Sequence, residues 1–411
     1  MTIERLSRED ARILRLETGN VCGHTCKVLV LDGVLGLDEL RASVASRLGA
    51  APRLLQLPVS ARGLRRPLWA DDVDFDIDAH VMLADAASPT GPGQLREVVA
   101  DLMSRPLDRS RPLWSLHLVE QLDSGGSALV WRVHHCMADG VSMVRLGSAV
   151  LWDVESQPER ARAPATATQP PGLISSLAHG VLRRELGRTA RESVLDHRIG
   201  RARAVGFAAG DLDVLHRVGK SVSLKVTLND VVLAAVAGGV RRWLLARDAE
   251  TGGIRVKVPV SLHHAGETAG AMSNVDSYFF VDLPVGEADP VKRLLAINGE
   301  TSNRKRRRDA EVIYRLPLKR AMTRWAMSPR VFTFSVSNVP GPRGPLSVDG
   351  VPVREVFSLA EVAEHHALRV CVMSASGRLG FGLCADRDAV PKFDVLMEGL
   401  DLSLEELAVS V

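Results

Sequence analysis

What the chain has little of narrows the options first. Aromatic residues make up 4% of the 411 positions, and 52 Lys and Arg against 49 Asp and Glu leave a formal net charge of +3. So few stacking side chains and so slight a positive excess exclude a nucleic-acid partner, which asks for a strongly basic face or aromatic platforms. Five cysteines, Cys22, Cys26, Cys136, Cys371 and Cys384, form no disulfide-like framework in so long a chain. Cys22, His24 and Cys26 have no second pair at zinc-site spacing, so no metal is expected. The longest apolar run, 231–240, is far shorter than the ~20 residues that span a bilayer. The opening Met-Thr-Ile-Glu-Arg-Leu-Ser-Arg-Glu-Asp carries no apolar core of a signal peptide. These features give the expectation of a soluble, cytoplasmic protein.

What is there is ordinary globular material, 46% hydrophobic and 25% charged. At about 150 residues per domain the length suggests two large lobes. Strand-like runs at 27–32, 128–133, 254–260, 277–283, 331–339, 369–374 and 379–385 alternate with helical spacing at 36–47, 95–103, 142–151 and 229–245. There is no internal repeat. Residues 156–172 hold Pro158, Pro164, Pro170 and Pro171 with little to bury, and read as a crossing segment. An amphipathic helix over 173–193 follows. The expected plan is therefore a lobe over 1–155, a linker with helix over 156–200, and a lobe over 201–411. Mixed sheets covered by helices in each half make the class α/β.

Three histidine pairs occur: His134-His135, His263-His264 and His365-His366. Only the first leaves an apolar strand and enters a turn with Asp139 four residues after His135 and Gly140 next. Adjacent side chains of an extended strand point to opposite faces, so one histidine faces the core and the other a cleft. A histidine near its ordinary value of about 6.5 can accept a hydroxyl proton at neutral pH. Asp139 can brace the local backbone, and Gly140 lets the chain fold back sharply. The other two pairs lack the Asp-Gly turn and read as loop histidines.

The string Val133-His-His-Cys-Met-Ala-Asp-Gly-Val-Ser142 resembles the His-His-x-x-x-Asp-Gly signature of chloramphenicol-acetyltransferase-like acyltransferases and of condensation domains. Further blocks resemble one branch, the bacterial wax ester synthase/diacylglycerol acyltransferase family. They are Arg5-Leu-Ser-Arg-Glu-Asp10, Pro67-Leu-Trp-Ala-Asp-Asp-Val-Asp-Phe-Asp-Ile-Asp-Ala-His80, Arg105-Pro-Leu-Asp-Arg-Ser-Arg-Pro-Leu-Trp114, Thr227-Leu-Asn-Asp-Val-Val-Leu-Ala-Ala235 and Ser337-Asn-Val-Pro-Gly-Pro342. The chain departs from the family pattern at Met272-Ser-Asn-Val275, where a Gly-Asn-Arg element is usual.

The resemblance implies two chloramphenicol-acetyltransferase-like lobes with the active site in a tunnel between them. It implies transfer of an acyl group from acyl-CoA, as substrate and without any cofactor, to a hydroxyl of diacylglycerol or a long-chain alcohol. His135 is then the general base, His134 its partner, and Asp139 and Gly140 hold the loop. Pro112, Leu113 and Trp114 are expected mainly to pack at a strand start. Asn229 and Asp230 are expected to shape the site or touch the reacting groups. Ser337 and Asn338 are expected in a turn bordering the pocket. Two alternatives stay open: a specialised-metabolite hydroxyl as acceptor, and a non-catalytic acyl- or carrier-binding module of the same fold. From Arg304 to Arg324 nine basic residues oppose Asp309 and Glu311. That stretch is expected to contact anionic membrane or CoA phosphates.

Overall fold

The computed structural model describes residues 4–60, 66–154, 180, 187, 193–223, 225–261, 276–307, 325, 327–342 and 344–410. The linker over 156–172, almost all of the helix expected over 173–193, His263, His264, residues 272–275 and positions 308–324 lie outside them.

The run His-Thr-Cys-Lys-Val-Leu-Val-Leu forms β2 (His24–Leu31), buried at every position. A strand covered on both faces reads as a near-continuous run rather than an alternation. Around it lies a seven-stranded sheet in the order β5 (Val81–Leu83), β6 (Trp114–Val119), β7 (Ser127–His134), β2, β14 (Val351–Ala360), β13 (Leu346–Val348) and β8 (Asp153–Val154). Only β5 and β6 run parallel. A six-stranded sheet follows the order β11 (Asp276–Asp282), β10 (Arg255–Ser261), β12 (Phe334–Pro340), β15 (Leu368–Ala375), β16 (Arg378–Asp386) and β9 (Arg203–Asp211). There β10, β12 and β15 are parallel neighbours. A small sheet joins β1 (Glu4–Arg5), β3 (Gln56–Val59) and β4 (Leu68–Asp71).

The first half contributes the helices α1 (Arg8–Leu16), α2 (Leu37–Arg47), α3 (Pro92–Ser104) and α4 (Gly140–Val150). The second contributes α5 (Leu212–Val222), α6 (Leu228–Leu245), α7 (Pro290–Arg307) and α8 (Phe393–Val409). The apolar run within α6 is buried in the second lobe, where α8 packs on it. No described helix is long and apolar enough to cross a membrane.

Two cores sandwich β2. Cys26, Val28 and Val30 face a cluster shared with α3 and the second lobe, whereas Leu29 and Leu31 face one shared with Trp131, Met143 and Trp152. Each fully buried aliphatic side chain contributes about 1.5–3 kcal/mol. The lobes expected over 1–155 and 201–411 are not separate pieces of chain. The later segment β14 pairs with β2 from Leu31↔Val353 to Thr25↔Ala360, so the second half supplies strands to the first sheet. A non-local pairing of this kind leaves no mark in local periodicity.

Candidate active site at the lobe junction

The histidine motif begins where β7 ends. Its last residue, His134, lies directly opposite His24 of β2. The backbone continues the ladder for one more step, with His134 N–H donating to the Leu113 carbonyl and His135 N–H to the Gly23 carbonyl, each at 2.9 Å. Residues paired across a strand share a face. His134 therefore sits with His24 and Arg132 on one face of the sheet, and His135 on the opposite face with Val133 and Trp131.

His134 is fully buried. Its Nδ1 accepts from the Cys136 N–H at 3.1 Å, so its Nε2 carries the proton and donates to Glu17 Oε2 at 3.2 Å. Arg109 Nη2 donates to the same oxygen at 2.7 Å. Burial pushes the Glu17 carboxyl upward, but the hydrogen bonds from His134 and Arg109 outweigh it and hold it below its ordinary value. Gly23 lets His134 come this close: it has φ +67°, and a Cβ there would lie 2.6 Å from His134 Nε2.

His135 is half-buried at the junction. Burial and the nearby Arg369 guanidinium push its imidazole down to about 4, with Asp139 opposing them. Asp139 is the N-cap of α4, accepting from Ser142 N–H at 2.7 Å. Its bracing role is thus a helix cap. Gly140 differs from expectation in its reason. Its φ is not in the left-handed region, and a Cβ there would meet Val339 Cγ2 of β12 at 2.9 Å. It is a point of close approach between lobes rather than a sharp reversal.

Pro112, Leu113 and Trp114 are buried beneath the motif. The Trp114 indole donates to the Leu54 carbonyl at 2.8 Å and stacks on His80 at 4.5 Å. Ser337 and Asn338 lie within β12 rather than in a turn, half-buried and opposite Cys371 and Val372 of β15. Val339, the next residue, is the one that meets Gly140.

Asp230 is fully buried, and its position corrects the expectation of a substrate contact. Oδ2 accepts from Thr227 N–H and Oγ1, each at 2.8 Å, and from Asn298 Nδ2 at 3.0 Å. Oδ1 accepts from Thr301 Oγ1 at 2.6 Å. Both oxygens are committed to capping α6 and tying it to α7. The sequence held the signal, since Thr227-x-x-Asp230 is a capping box. Asn229 beside it is half-buried.

Sequence reasoning missed a second buried cluster. Cys22, His24 and Glu361 bring potential ligand atoms within 4.8 Å of one another. Glu361 Oε1, however, accepts from Arg203 Nε at 2.8 Å, and Oε2 from Cys22 N–H at 3.4 Å. Burial pushes the Cys22 thiol up to about 12. An ion there would have to displace Arg203 and ionise that thiol. The cluster instead works as a brace, because Arg203 of β9 also donates to the Asn20 carbonyl and so fixes the segment whose Gly23 holds His135. His366 is likewise structural, its ring nitrogens 3.0 and 3.1 Å from the Thr333 and Met327 carbonyls, to which a ring N–H donates, and its ring stacked on Phe332 at 4.1 Å.

The two lobes and the motif at their junction define the class, and solved structures share it. A wax ester synthase/diacylglycerol acyltransferase from Marinobacter aquaeolei superposes with TM-score 0.73 at 22% identity, covering 99% of both chains. The first condensation domain of the CDA synthetase gives TM-score 0.68 at 15% identity, covering 99% of this chain and 96% of that one. This is the two-lobed chloramphenicol-acetyltransferase-like fold.

Sequence then identifies the family. The model of the wax ester synthase/diacylglycerol acyltransferase catalytic domain matches residues 6–189, and that of the WS/DGAT C-terminal domain residues 272–408. A putative diacylglycerol O-acyltransferase of Mycobacterium tuberculosis is 32% identical over 466 aligned positions, covering 98% of this chain and 97% of its own. The chain belongs to the wax ester synthase/diacylglycerol acyltransferase family and is an acyl-CoA-dependent O-acyltransferase.

Proposed function

We propose that His135 is the general base of an ester-forming transfer from acyl-CoA to diacylglycerol or a long-chain alcohol. The observation that carries the role is an imidazole half-buried at the lobe junction, held near 4, on a backbone whose N–H is pinned to the Gly23 carbonyl. It is neutral throughout the physiological range, the form that can accept a proton. So weak a base works best in concert: it takes the acceptor's hydroxyl proton as that oxygen bonds to the thioester carbon. The tetrahedral intermediate then collapses, the carbon–sulfur bond breaks, and the imidazolium returns its proton to the departing CoA thiolate. The products are an ester and free CoA.

In this reading His134, Glu17 and Arg109 position the loop, Asp139 caps α4, and Ser337, Asn338 and Asn229 border the substrates. Acyl-CoA and acceptor approach through a tunnel between the lobes, from opposite sides. Diacylglycerol is supported by the relatives' names. Contact with an anionic membrane belongs to the same proposal, supported by the exposed Trp325 and Met327 beside the basic stretch. The test is thiol release from acyl-CoA across a panel of diacylglycerol, hexadecanol and small polyols. Release that no acceptor stimulates would overturn the proposal.

A further inference from the structure

Lys27 is the one lysine in the fully buried interior of β2, 1% exposed. Its ammonium carries three donors, yet its hydrogen bond is a single one, to the Ser358 hydroxyl of β14 at 2.6 Å. Among the described residues no carboxylate lies within ion-pair distance of it. A buried cation facing only a neutral hydroxyl is costly unless something else accepts its protons.

Its place in the fold says what that could be. Lys27 pairs with Trp131 and Gly23 is on the ladder step of His135, so Lys27 and His135 share one face of the sheet. One strand of the second lobe, β15, has residues within electrostatic reach of both. Arg369 of β15 is close enough to act on His135, and Cys371, two residues on and on the same side of β15, is close enough to act on Lys27. The seam between the lobes thus runs from His135 at one end to Lys27 at the other, roughly 13 Å away along the strand. Burial lowers the Lys27 ammonium to about 8, which leaves it mostly charged at neutral pH.

We infer that Lys27 is a specificity-determining residue: its free ammonium donors hold an oxygen of the acceptor, an ester carbonyl or a carboxylate, remote from the hydroxyl that His135 deprotonates. The inference rests on the proposed acyl transfer at His135. It favours acceptors such as glycerides or hydroxy acids over a plain alkanol.

The test compares didecanoylglycerol, ω-hydroxydecanoate and decanol as acceptors for the wild type, Lys27→Met and Lys27→Gln. In Lys27→Met, kcat/KM should fall about tenfold to a hundredfold for whichever oxygen-bearing acceptor is the substrate, as expected for a lost charged hydrogen bond. It should stay within about threefold for decanol, a change small against that loss. Lys27→Gln, which keeps a donor, should recover part of the loss. Loss on didecanoylglycerol identifies the ester carbonyl, and loss on ω-hydroxydecanoate the carboxylate. Equal loss on all three acceptors, or none, overturns the inference. If the wild type turns over none of them, the acyl-transfer reading fails separately. Calorimetric binding of the two oxygen-bearing acceptors then decides: affinity lost in Lys27→Met supports the role, and unchanged affinity overturns it.

Discussion

His134 and His135 are the same residue type on adjacent positions, yet the fold gives them opposite surroundings. His134 is sealed, its two nitrogens committed to Cys136 N–H and the Glu17 carboxylate. His135 is half-buried, and burial and the Arg369 guanidinium push its imidazole down to about 4 against the opposing pull of Asp139. The first is an anchor whose geometry is over-determined; the second is held neutral and can accept a proton. A two-residue period and one extra ladder hydrogen bond create this division.

The sharpest way to break it is substitution. His135→Ala should lower turnover by at least ~100-fold, the low end for a positioned general base, with an unchanged circular dichroism spectrum. His134→Ala should lower it by roughly tenfold while costing about 1–3 kcal/mol of stability, because Cys136 N–H and Glu17 each lose a buried partner. Equal kinetic losses in two folded variants would abolish the distinction.

Acid tests the same contrast. His135 and His117 are each pushed down to about 4, and His24 well below its ordinary value, all chiefly by burial. A base depressed in the folded state is protonated first in the unfolded state. Its stability contribution is whole above about 6.5 and drains as pH falls toward 4. Urea midpoints should therefore be flat from pH 7 to 8 and drop steadily between about 6.5 and 4. The acid limb of kcat/KM, measured on the fraction still folded, should lie near 4. Arg369→Gln removes the largest depressing cause after burial and should move that limb upward. A limb near 6.5 in the wild type would mean that His135 is far better solvated than its place at the junction implies.

Much of this contrast was legible in the chain, and its limits are physical. The strand 128–133 and the helix after Asp139 could be read because apolar runs and caps are local signals. They appear as Ser127–His134 and Gly140–Val150. The partners of His134 could not be read, since Glu17 and Arg109 lie 92 positions apart in sequence. Nor could β14 in the first sheet, or a lysine buried inside a strand, because charge patterning speaks only of exposed faces. The cap made by Asp230 was legible too, since the Thr227-x-x-Asp230 capping box is a local signal.

A smaller effect separates two kinds of support for the motif. An ion-paired Asp139 would cost about 3–5 kcal/mol on removal. The cap on Ser142 N–H alone is worth about 1 kcal/mol, so Asp139→Ala should cost at least that, with Asp139→Asn retaining most of the cap. Thermal melts of the two variants check this. Activity lost at unchanged melting temperature would make Asp139 a participant in the reaction.

The smallest effect concerns the basic stretch against the braced interior of α7. Within the described residues Arg304 is already paired with Glu300 at 2.6 Å, and Lys305 donates to Thr227 Oγ1 at 3.2 Å. Those two cations serve the fold and have less left to offer a surface. The remaining seven basic positions up to Arg324 carry the proposed membrane contact. At roughly 1 kcal/mol per basic residue near an anionic surface, a few engaged side chains give weak binding that salt removes. Co-sedimentation with phosphatidylserine-containing vesicles should fall as salt rises, and replacing Arg306, Arg307 and Arg308 together by Gln should weaken it about tenfold or more. Replacing Arg304 and Lys305 should lower stability more than vesicle binding. No sedimentation at low salt would remove the membrane from the proposed function and move the acceptor toward a soluble alcohol.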